Sequence, residues 1–226
     1  MIITIDGPTA SGKSTVARAV ALKLQIYYIY SGLLFRALAY LLIKNKGYSV
    51  QSLASPLSAD VQEIFDPMHF EYQYHQGKEQ IIFDGINITD HLKHSDIDRG
   101  ASIISTNSFV RDALLTLQRH IARTQSVVVD GRDTGSVVFP HAQYKFFITA
   151  SLKERARRWR LDQAKRGMMF TDEQACAAIA ERDERDSSRA LAPLTIPDGA
   201  VVIDSTDLSK DAVIALILKC VNSTLE

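Results

Sequence analysis

Apolar residues follow two different periods along the chain, and the changes between them divide it into predicted strands and helices. The first short apolar run, at residues 2–5, leads into a glycine-rich segment at 7–14. Apolar residues then recur at helical spacing from residue 16 to residue 21. The sequence therefore predicts a strand, a flexible loop and a helix in direct succession.

Strand and helix continue to alternate through most of the chain. Further strands are predicted at residues 25–29, 126–129, 144–149 and 200–203, and helices at residues 31–46, 96–124, 151–166, 171–186 and 210–221. Ser31 and Asp172 are predicted to cap two of these helices, and Gly47 to end one of them. The run at 126–129 is apolar throughout, which is typical of a strand buried on both faces of a parallel sheet.

The segment from residue 49 to residue 88 departs from this alternation. Residues 49–65 have no clear period and are predicted to be a linker with some helix. Phe70 and Tyr72 then alternate with polar residues, and the pair Asp84-Gly85 separates two apolar runs, a pattern that indicates an antiparallel hairpin. A small antiparallel insert is predicted here, with an extension of the main sheet as the alternative.

The glycine-rich loop fits the pattern G-x-x-x-x-G-K-[ST], in which backbone N–H groups and a helix N-terminus surround phosphate groups. Lys13 is expected to reach the β- and γ-phosphates of a nucleoside triphosphate, and the Ser14 hydroxyl to complete the shell of Mg²⁺. The predicted nucleotide-binding residues are Gly7, Pro8, Thr9, Ala10, Ser11, Gly12, Lys13, Ser14 and Thr15. The pattern leaves the fate of the γ-phosphate open.

Composition gives no sign of a macromolecular partner. The 226 residues include 26 basic and 26 acidic side chains, so no overall field attracts nucleic acid or a membrane surface. The cysteines, Cys176 and Cys220, lack metal-ligand spacing and are expected to be thiols in a reducing compartment. Without a signal-peptide pattern or a long apolar run, we expect a cytoplasmic protein that binds neither nucleic acid nor membrane. The neutral charge and the lack of a long exposed apolar stripe favour a monomer.

Arginines occur at positions where a second phosphate-bearing ligand could be held. Phosphoryl transfer between two anions requires such charge, and a guanidinium group can bind phosphate through two hydrogen bonds. The candidates are Arg36, Arg111, Arg132, Arg182 and Arg189. Alternatively, the charged residues at 182–186 are ion pairs on a helix surface. Asp130, at the end of a buried strand, is expected either near the metal or in an ion pair with a neighbouring arginine.

Together these motifs resemble the bacterial cytidylate kinases over almost the whole chain. The matching segments are residues 7–14, Ser31-Gly32-x-x-Phe35-Arg36, Val110-Arg111, Asp130-Gly131-Arg132-Asp133-x-Gly135, Glu181-Arg182-Asp183-x-Arg185-Asp186-x-x-Arg189 and Asp204-Ser205-Thr206. The resemblance implies ATP- and Mg²⁺-dependent phosphorylation of CMP and dCMP. It also implies a P-loop three-layer α/β/α fold with a central parallel sheet, a small antiparallel insert in the monophosphate-binding region and a helical lid.

The resemblance assigns site residues as well. Ser31, Arg111 and Asp133 are expected to contact cytosine, Ser102, Arg182 and Asp186 the sugar, and Arg36, Arg132 and Arg189 the acceptor phosphate. The residues expected to support the transfer itself are Lys13, Arg132, Arg189, Arg155 and Arg158. Arg155, Arg157 and Arg158 are the lid residues expected to face the phosphates of ATP. One difference from the family's usual sequence is Tyr30, which stands where the family generally has an aspartate.

The resemblance further implies a single domain over residues 1–226. Its core would comprise residues 1–36, 96–150 and 171–226, with the monophosphate-binding insert at about 37–95 and the lid at about 151–170. Two other functions remain open: a P-loop kinase for another small acceptor, such as UMP or shikimate, and a nucleotide-binding ATPase switch that releases no phosphorylated product.

Overall fold

The computed structural model describes residues 1–223, and these contain eight strands and eight α-helices. In chain order they are β1 (Ile2–Asp6), α1 (Lys13–Leu24), β2 (Tyr27–Tyr30), α2 (Ser31–Lys46), α3 (Ser58–Ile64), β3 (Phe70–His75), β4 (Lys78–Phe83), β5 (Ile86–Asn87), α4 (Ser95–Ile104), α5 (Ser108–Ala122), β6 (Val127–Gly131), β7 (Tyr144–Thr149), α6 (Leu152–Lys165), α7 (Asp172–Ser188), β8 (Val201–Asp204) and α8 (Lys210–Asn222). The chain divides into two compact units. The first unit is Met1–Gln25 with Val128–Glu226, and the second unit is Ile26–Val127.

The first unit contains strands in the order β6-β1-β7-β8. Strand β7 pairs in parallel with β1 and with β8, and the registers place Ile5 opposite Phe146 and Ile148 opposite Ile203. Val128 and Val129 in β6 are fully buried, as an apolar strand inside a parallel sheet must be. With helices flanking the parallel sheet and a separate small antiparallel sheet, the predicted α/β fold class is confirmed.

The helices of the first unit pack in two pairs, α1 with α8 and α6 with α7. Helices α6 and α7 each have a capped N-terminus. Ser151 accepts a hydrogen bond from the N–H of Glu154 in α6, and Thr171 forms a capping box with Gln174 in α7. The predicted cap at Asp172 is therefore wrong by one residue, because the Thr171 hydroxyl takes the role and Asp172 begins the helix.

The second unit is built around helix α2, which packs against α3, α4 and α5. Leu34, Leu38 and Leu42 recur every four residues on its buried face. The helix ends at Gly47, which has a φ of 71°, a conformation that glycine adopts without strain. This end was predicted correctly, whereas the start was not: Tyr30 is the N-cap and Ser31 the first helical residue.

The predicted antiparallel insert is a three-stranded sheet in the order β3-β4-β5, within the second unit. Tyr72 lies opposite Ile81 in the β3–β4 register. The predicted turn at Asp84-Gly85 joins β4 to β5, and both of its residues have positive φ angles of 49° and 76°. This sheet is separate from the parallel one, so the alternative of an extended main sheet is excluded.

The helix predicted at residues 96–124 is wrong as a single element. It is interrupted between α4 and α5, where the Asn107 side chain accepts a hydrogen bond of 3.1 Å from the N–H of Val110. Both helices carry apolar residues at the same spacing, so the period alone did not reveal the break. The chain also forms a π-helical turn at Thr134–Val138, directly after β6, that was not predicted.

Candidate functional site

The glycine-rich loop connects β1 to α1 in a conformation that two of its glycines make possible. Gly7 has a φ of 153°, and a Cβ atom there would lie 2.0 Å from the carbonyl oxygen of Ile148. Gly12, the N-cap of α1, has a φ of 91°. Ala10 between them also has a positive φ, of 58°, which is strained for a residue with a side chain. The loop is therefore held in a shape that a generic turn would not adopt.

Lys13 begins helix α1 and is 6% exposed. Its ammonium group donates a hydrogen bond of 2.9 Å to the carbonyl oxygen of Pro8 within the loop. Burial, and next the charge of Arg132, lowers the pKa of Lys13 well below its usual range, while Asp130 acts in the opposite direction. An anion bound in the loop would favour the charged form of this lysine.

Ser14 follows Lys13, and its hydroxyl donates a hydrogen bond of 2.5 Å to Oδ2 of Asp130. Asp130 belongs to β6, whose neighbour in the sheet is β1, and it is 1% exposed. This contact places carboxylate and hydroxyl oxygens together beside the phosphate loop.

Arg132 connects the phosphate loop to helix α7. Its Nε donates to Oδ2 of Asp186 at 2.7 Å, and its Nη2 donates to the hydroxyl of Thr9 at 3.1 Å. Burial alone would raise the pKa of Asp186, but the charges of Arg132, Arg182 and Arg189 bring it below its usual value. Arg132 therefore lies against the phosphate loop, and it holds Asp186 of α7 close to the loop.

Arg189 and Asp133 form a further pair in the first unit. Nη2 of Arg189 lies 3.4 Å from Oδ1 of Asp133, and both side chains are less than a tenth exposed. Nε of Arg189 donates to the carbonyl oxygen of Ala192 at 2.6 Å. A predicted base contact and a predicted phosphate contact are therefore neighbours: Asp133 follows the end of β6, and Arg189 directly follows the last residue of α7.

Asp6, at the end of β1, anchors the turn that follows Asp133. Its oxygen atoms accept hydrogen bonds from the N–H and hydroxyl of Thr134, at 2.9 and 2.8 Å, and from the N–H of Gly135 at 2.7 Å. Burial raises the pKa of Asp6 to about 6, although these hydrogen bonds act to lower it. Asp6 was not predicted; an aspartate at the end of a buried strand was the signal that could have indicated it.

Arg155 and Arg158 of α6 both reach carbonyl oxygens of the loop. Nη1 of Arg155 donates to Thr9 at 3.2 Å, and Nη1 of Arg158 donates to Ser11 at 3.1 Å. Arg157, by contrast, forms an ion pair of 2.7 Å with Glu154 on its own helix and is 54% exposed. Two arginines of the basic helix are thus connected to the phosphate loop, whereas Arg157 remains a surface residue.

Asp183 of α7 was not predicted as a site residue, although it lies at the centre of the loop contacts. Oδ1 of Asp183 accepts a hydrogen bond of 3.0 Å from the N–H of Thr9. The surface ion pairs expected on this helix are represented by Arg185 and Glu181, at 2.5 Å. The spacing of Asp183 and Asp186 on one helix face was the available signal.

The remaining predicted residues lie in the second unit. Ser31 and Arg36 are on α2, and Ser102 is on α4, which packs against α2. The two serines are each 7% exposed. Nε of Arg36 lies 2.7 Å from Oδ1 of Asp98, and its guanidinium carbon lies 5.7 Å from the centre of the Tyr30 ring. Arg36 is thus oriented by a carboxylate and an aromatic ring, an arrangement that suits an arginine binding a phosphate.

Arg111 of α5 completes the predicted set. Its Nη1 donates to the carbonyl oxygen of Ser105 at 3.0 Å, and its guanidinium carbon lies 5.9 Å from the centre of the Phe35 ring. Phe35 precedes Arg36 on α2, so Arg111 contacts the same helix that carries Arg36.

The described residues show neither a membrane-spanning helix nor a dense metal site. Within residues 1–223, no helix combines the length and apolar character needed to cross a bilayer. Over the same range, no group of three or more His, Cys, Asp and Glu side chains is placed to hold a metal ion. Cys176 and Cys220 are half-buried, and neither takes part in a disulfide.

A strand, a phosphate loop and a helix in a parallel α/β sheet, with arginines gathered at that loop, define a P-loop nucleotide-binding protein. Comparison with known families identifies which one: the model of the cytidylate kinase family matches residues 3–223. The chain belongs to the cytidylate kinase family.

Individual relatives agree with this assignment. The chain is 36% identical to the cytidylate kinase of Caldanaerobacter subterraneus subsp. tengcongensis, with 97% of this chain and 93% of the relative covered. It is 39% identical to that of Colwellia psychrerythraea, with 99% and 97% covered. A solved structure of an uncharacterised protein from Eubacterium ventriosum is 15% identical, covers 99% of this chain and 98% of its own, and has a TM-score of 0.51, which shows a shared fold alone.

Proposed function

We propose that this chain transfers the γ-phosphoryl group of ATP to CMP and dCMP, giving ADP and CDP or dCDP. The observation that carries the proposal is the set of arginine contacts on the phosphate loop that holds Lys13: Arg132 donates to the hydroxyl of Thr9, and Arg155 and Arg158 donate to loop carbonyl oxygens. Donor and acceptor are both anionic, so the site must offset their repulsion and hold them in line. Cytidylate kinase relatives over nearly the whole chain support a cytidine monophosphate as the acceptor.

The transfer needs no nucleophilic side chain, because an oxygen of the acceptor phosphate attacks the γ-phosphorus directly. Lys13, now bonded to Pro8, would exchange that carbonyl for phosphate oxygens of ATP. Arg132 and Arg189 would stabilise the charge that develops between the two phosphates. Arg155 and Arg158 would add positive charge on the donor side, close to the loop carbonyls that they contact.

The acceptor would be recognised in three parts. We assign the base to Ser31, Arg111 and Asp133, the sugar to Ser102, Arg182 and Asp186, and the phosphate to Arg36, Arg132 and Arg189. The carboxylate of Asp133 can accept a hydrogen bond from the amino group of cytosine. Uracil has a carbonyl oxygen at that position, which is also an acceptor and cannot donate to the carboxylate. This pairing is the basis for preferring CMP to UMP.

The metal proposed for the reaction is Mg²⁺. The hydroxyl of Ser14 and the carboxylate of Asp130 are oxygen ligands of the kind that Mg²⁺ prefers, and Mg²⁺ generally takes few protein ligands beside phosphate and water. When bound, the ion would neutralise charge on the β- and γ-phosphates. Ser14 would supply the direct contact, and Asp130 would orient that hydroxyl.

We further propose a monomeric enzyme of the cytoplasm, with the insert at about residues 37–95 and the lid at about residues 151–170. The half-buried thiols Cys176 and Cys220 suit a reducing compartment. The zero net charge gives no reason to expect nucleic acid or membrane as a partner.

An ADP-release assay with a panel of acceptors tests the proposal. The purified chain would receive Mg²⁺ and ATP with CMP, dCMP, UMP, AMP, shikimate or no acceptor. ADP release that depends on CMP or dCMP is the expected result. ADP release that depends on UMP or shikimate would identify that compound as the acceptor in place of CMP. ADP release without any acceptor would identify an ATPase and overturn the proposal.

A further inference from the structure

Thr9 in the phosphate loop is fixed through three of its groups. Its N–H donates to Oδ1 of Asp183 at 3.0 Å, and its carbonyl oxygen accepts from Nη1 of Arg155 at 3.2 Å. Its hydroxyl accepts from Nη2 of Arg132 at 3.1 Å. The residue is 5% exposed, so water offers little competition for these partners.

Two of these partners also bind each other. Nη1 of Arg155 donates to Oδ2 of Asp183, and Nε of Arg155 donates to the carbonyl oxygen of Ala150 at 2.9 Å. Asp183, Arg155 and Thr9 therefore form a closed ring of hydrogen bonds among α7, α6 and the loop, which we call the Thr9 ring. The side chains of Arg155 and Asp183 are 11% and 19% exposed, so the charge pair is largely shielded from solvent.

The Thr9 ring lies beside the strained position of the loop. Ala10 follows Thr9 directly and has a φ of 58°, a conformation that persists only where surrounding contacts impose it. The triphosphate would bind to backbone N–H groups whose directions depend on this turn. Contacts that fix Thr9 thus fix the geometry of the N–H groups that come after it.

We propose that Asp183 is a positioning residue for the nucleoside triphosphate, acting through Thr9 and Arg155 to hold the phosphate loop in its binding shape. The proposal rests on the proposed function, in that the triphosphate is taken to be ATP. Asp183 does not touch the phosphates itself, since its oxygen atoms are directed to the N–H of Thr9 and the guanidinium of Arg155. Asp183 thereby holds the loop in its binding shape before ATP arrives, so that binding does not carry the entropy cost of ordering it.

The test compares ATP binding by titration calorimetry in two variants. Asp183→Ala removes both contacts and is expected to weaken the affinity for Mg·ATP about tenfold. Asp183→Asn keeps an oxygen for the N–H of Thr9 but removes the charge facing Arg155, and is expected to weaken the affinity about threefold. Glu184→Gln is the matched control, because it removes one exposed carboxylate at the next position of α7 and should bind ATP as the wild type does.

Two further readouts separate positioning from general stability. In the kinase assay, Asp183→Asn should raise the KM for ATP and leave the KM for CMP unchanged. Arg155→Lys is measured as a third single variant. Because Asp183 and Arg155 act through one ring, the loss of ATP affinity in the double variant Asp183→Asn/Arg155→Lys should be smaller than the sum of the two single losses. If Asp183→Ala fails to fold by circular dichroism, the Asn variant and the double variant still give these results.

Wild-type ATP affinity in both Asp183 variants, an equal loss for ATP and CMP, or additive losses in the double variant would each overturn the proposal. Failure of the proposed function is distinguishable from this. ATP binding is measured without an acceptor. The effect of Asp183 on ATP affinity is therefore read independently of whether the chain phosphorylates CMP.

Discussion

The hydroxyl of Ser14 donates a hydrogen bond of 2.5 Å to the carboxylate of Asp130, although 116 positions separate the two residues. Ser14 lies in the first turn of α1, and Asp130 belongs to the strand beside β1. The parallel sheet therefore brings an oxygen pair to the mouth of the phosphate loop that neither local segment could form alone.

This pair leads to a prediction about the metal. Ser14→Ala should raise the Mg²⁺ concentration needed for half-maximal rate by about tenfold, because it removes one direct oxygen ligand. Ser14→Thr, which keeps the hydroxyl, is the matched control and should retain the wild-type dependence. Rates measured over a Mg²⁺ series at saturating ATP and CMP provide the comparison. An unchanged Mg²⁺ requirement in Ser14→Ala would remove Ser14 from the metal site.

Lys13 is expected to be indispensable for transfer. Lys13→Ala should lower kcat by about a thousandfold or more, because the lysine supplies charge where the β- and γ-phosphates meet in the transition state. Lys23→Ala removes an exposed lysine near the other end of α1 and should leave the rate unchanged. The ADP-release assay measures both variants. Transfer by Lys13→Ala within tenfold of the wild type would contradict the assigned role.

Asp133 should determine the choice of base. Asp133→Ala is expected to lower kcat/KM for CMP about a hundredfold relative to UMP, because it removes the acceptor for the amino group of cytosine. The KM for ATP should change little. Asp133 also lies 3.4 Å from Arg189. Asp133→Asn keeps the size and one acceptor oxygen, removes the charge and adds an N–H donor that uracil could accept, so it separates base reading from loss of volume. An unaltered CMP-to-UMP preference in both variants would show that the base is read elsewhere.

Tyr30 is expected to support Arg36 through its ring. The guanidinium carbon of Arg36 lies 5.7 Å from the ring centre, and such contacts are worth about 0.5–2 kcal/mol. Tyr30→Ala should therefore raise the KM for CMP by about threefold to tenfold. Tyr30→Phe keeps the ring and should resemble the wild type in the same steady-state assay. A similar KM increase in the Phe variant would assign the effect to the hydroxyl.

Asp6 should make stability depend on pH in the direction opposite to most carboxylates. Its pKa is raised from 3.8 to about 6, so the stability it contributes is fully present below pH 3.8 and is lost as pH rises through about 6. The difference corresponds to about 3 kcal/mol. Relative to Asp6→Asn, the free energy of unfolding of the wild type should fall by about 2 kcal/mol between pH 4 and pH 7, because Asp6 of the unfolded chain is already mostly ionised at pH 4.

Urea unfolding across that pH range measures the difference, with Asp211→Asn at an exposed position as the control. The comparison concerns the slope with pH, because the Asn amide would also lose the hydrogen bond from the N–H of Gly135. Parallel curves for the wild type and Asp6→Asn would contradict a raised pKa at Asp6.

Local chemistry made several parts of the fold predictable. The phosphate loop was identifiable because glycine, lysine and serine at fixed spacing have few other uses between a strand and a helix. The strand at 144–149 was predicted at its observed bounds because an apolar run there has no competing period. The break at Asn107 was missed because two consecutive helices share one apolar spacing and a single cap separates them.

The sequence by itself determined the α/β class, the phosphate loop and, by resemblance, the set of candidate residues. The tertiary structure decided which of those residues have partners that could not be inferred from spacing, such as Asp183 with Thr9 and Asp6 with Thr134. The physical reason is the range of the interactions. Periods and motifs report contacts within a few residues, whereas these hydrogen bonds join positions 174 and 128 residues apart. Such pairs exist only once the parallel strands have aligned their ends.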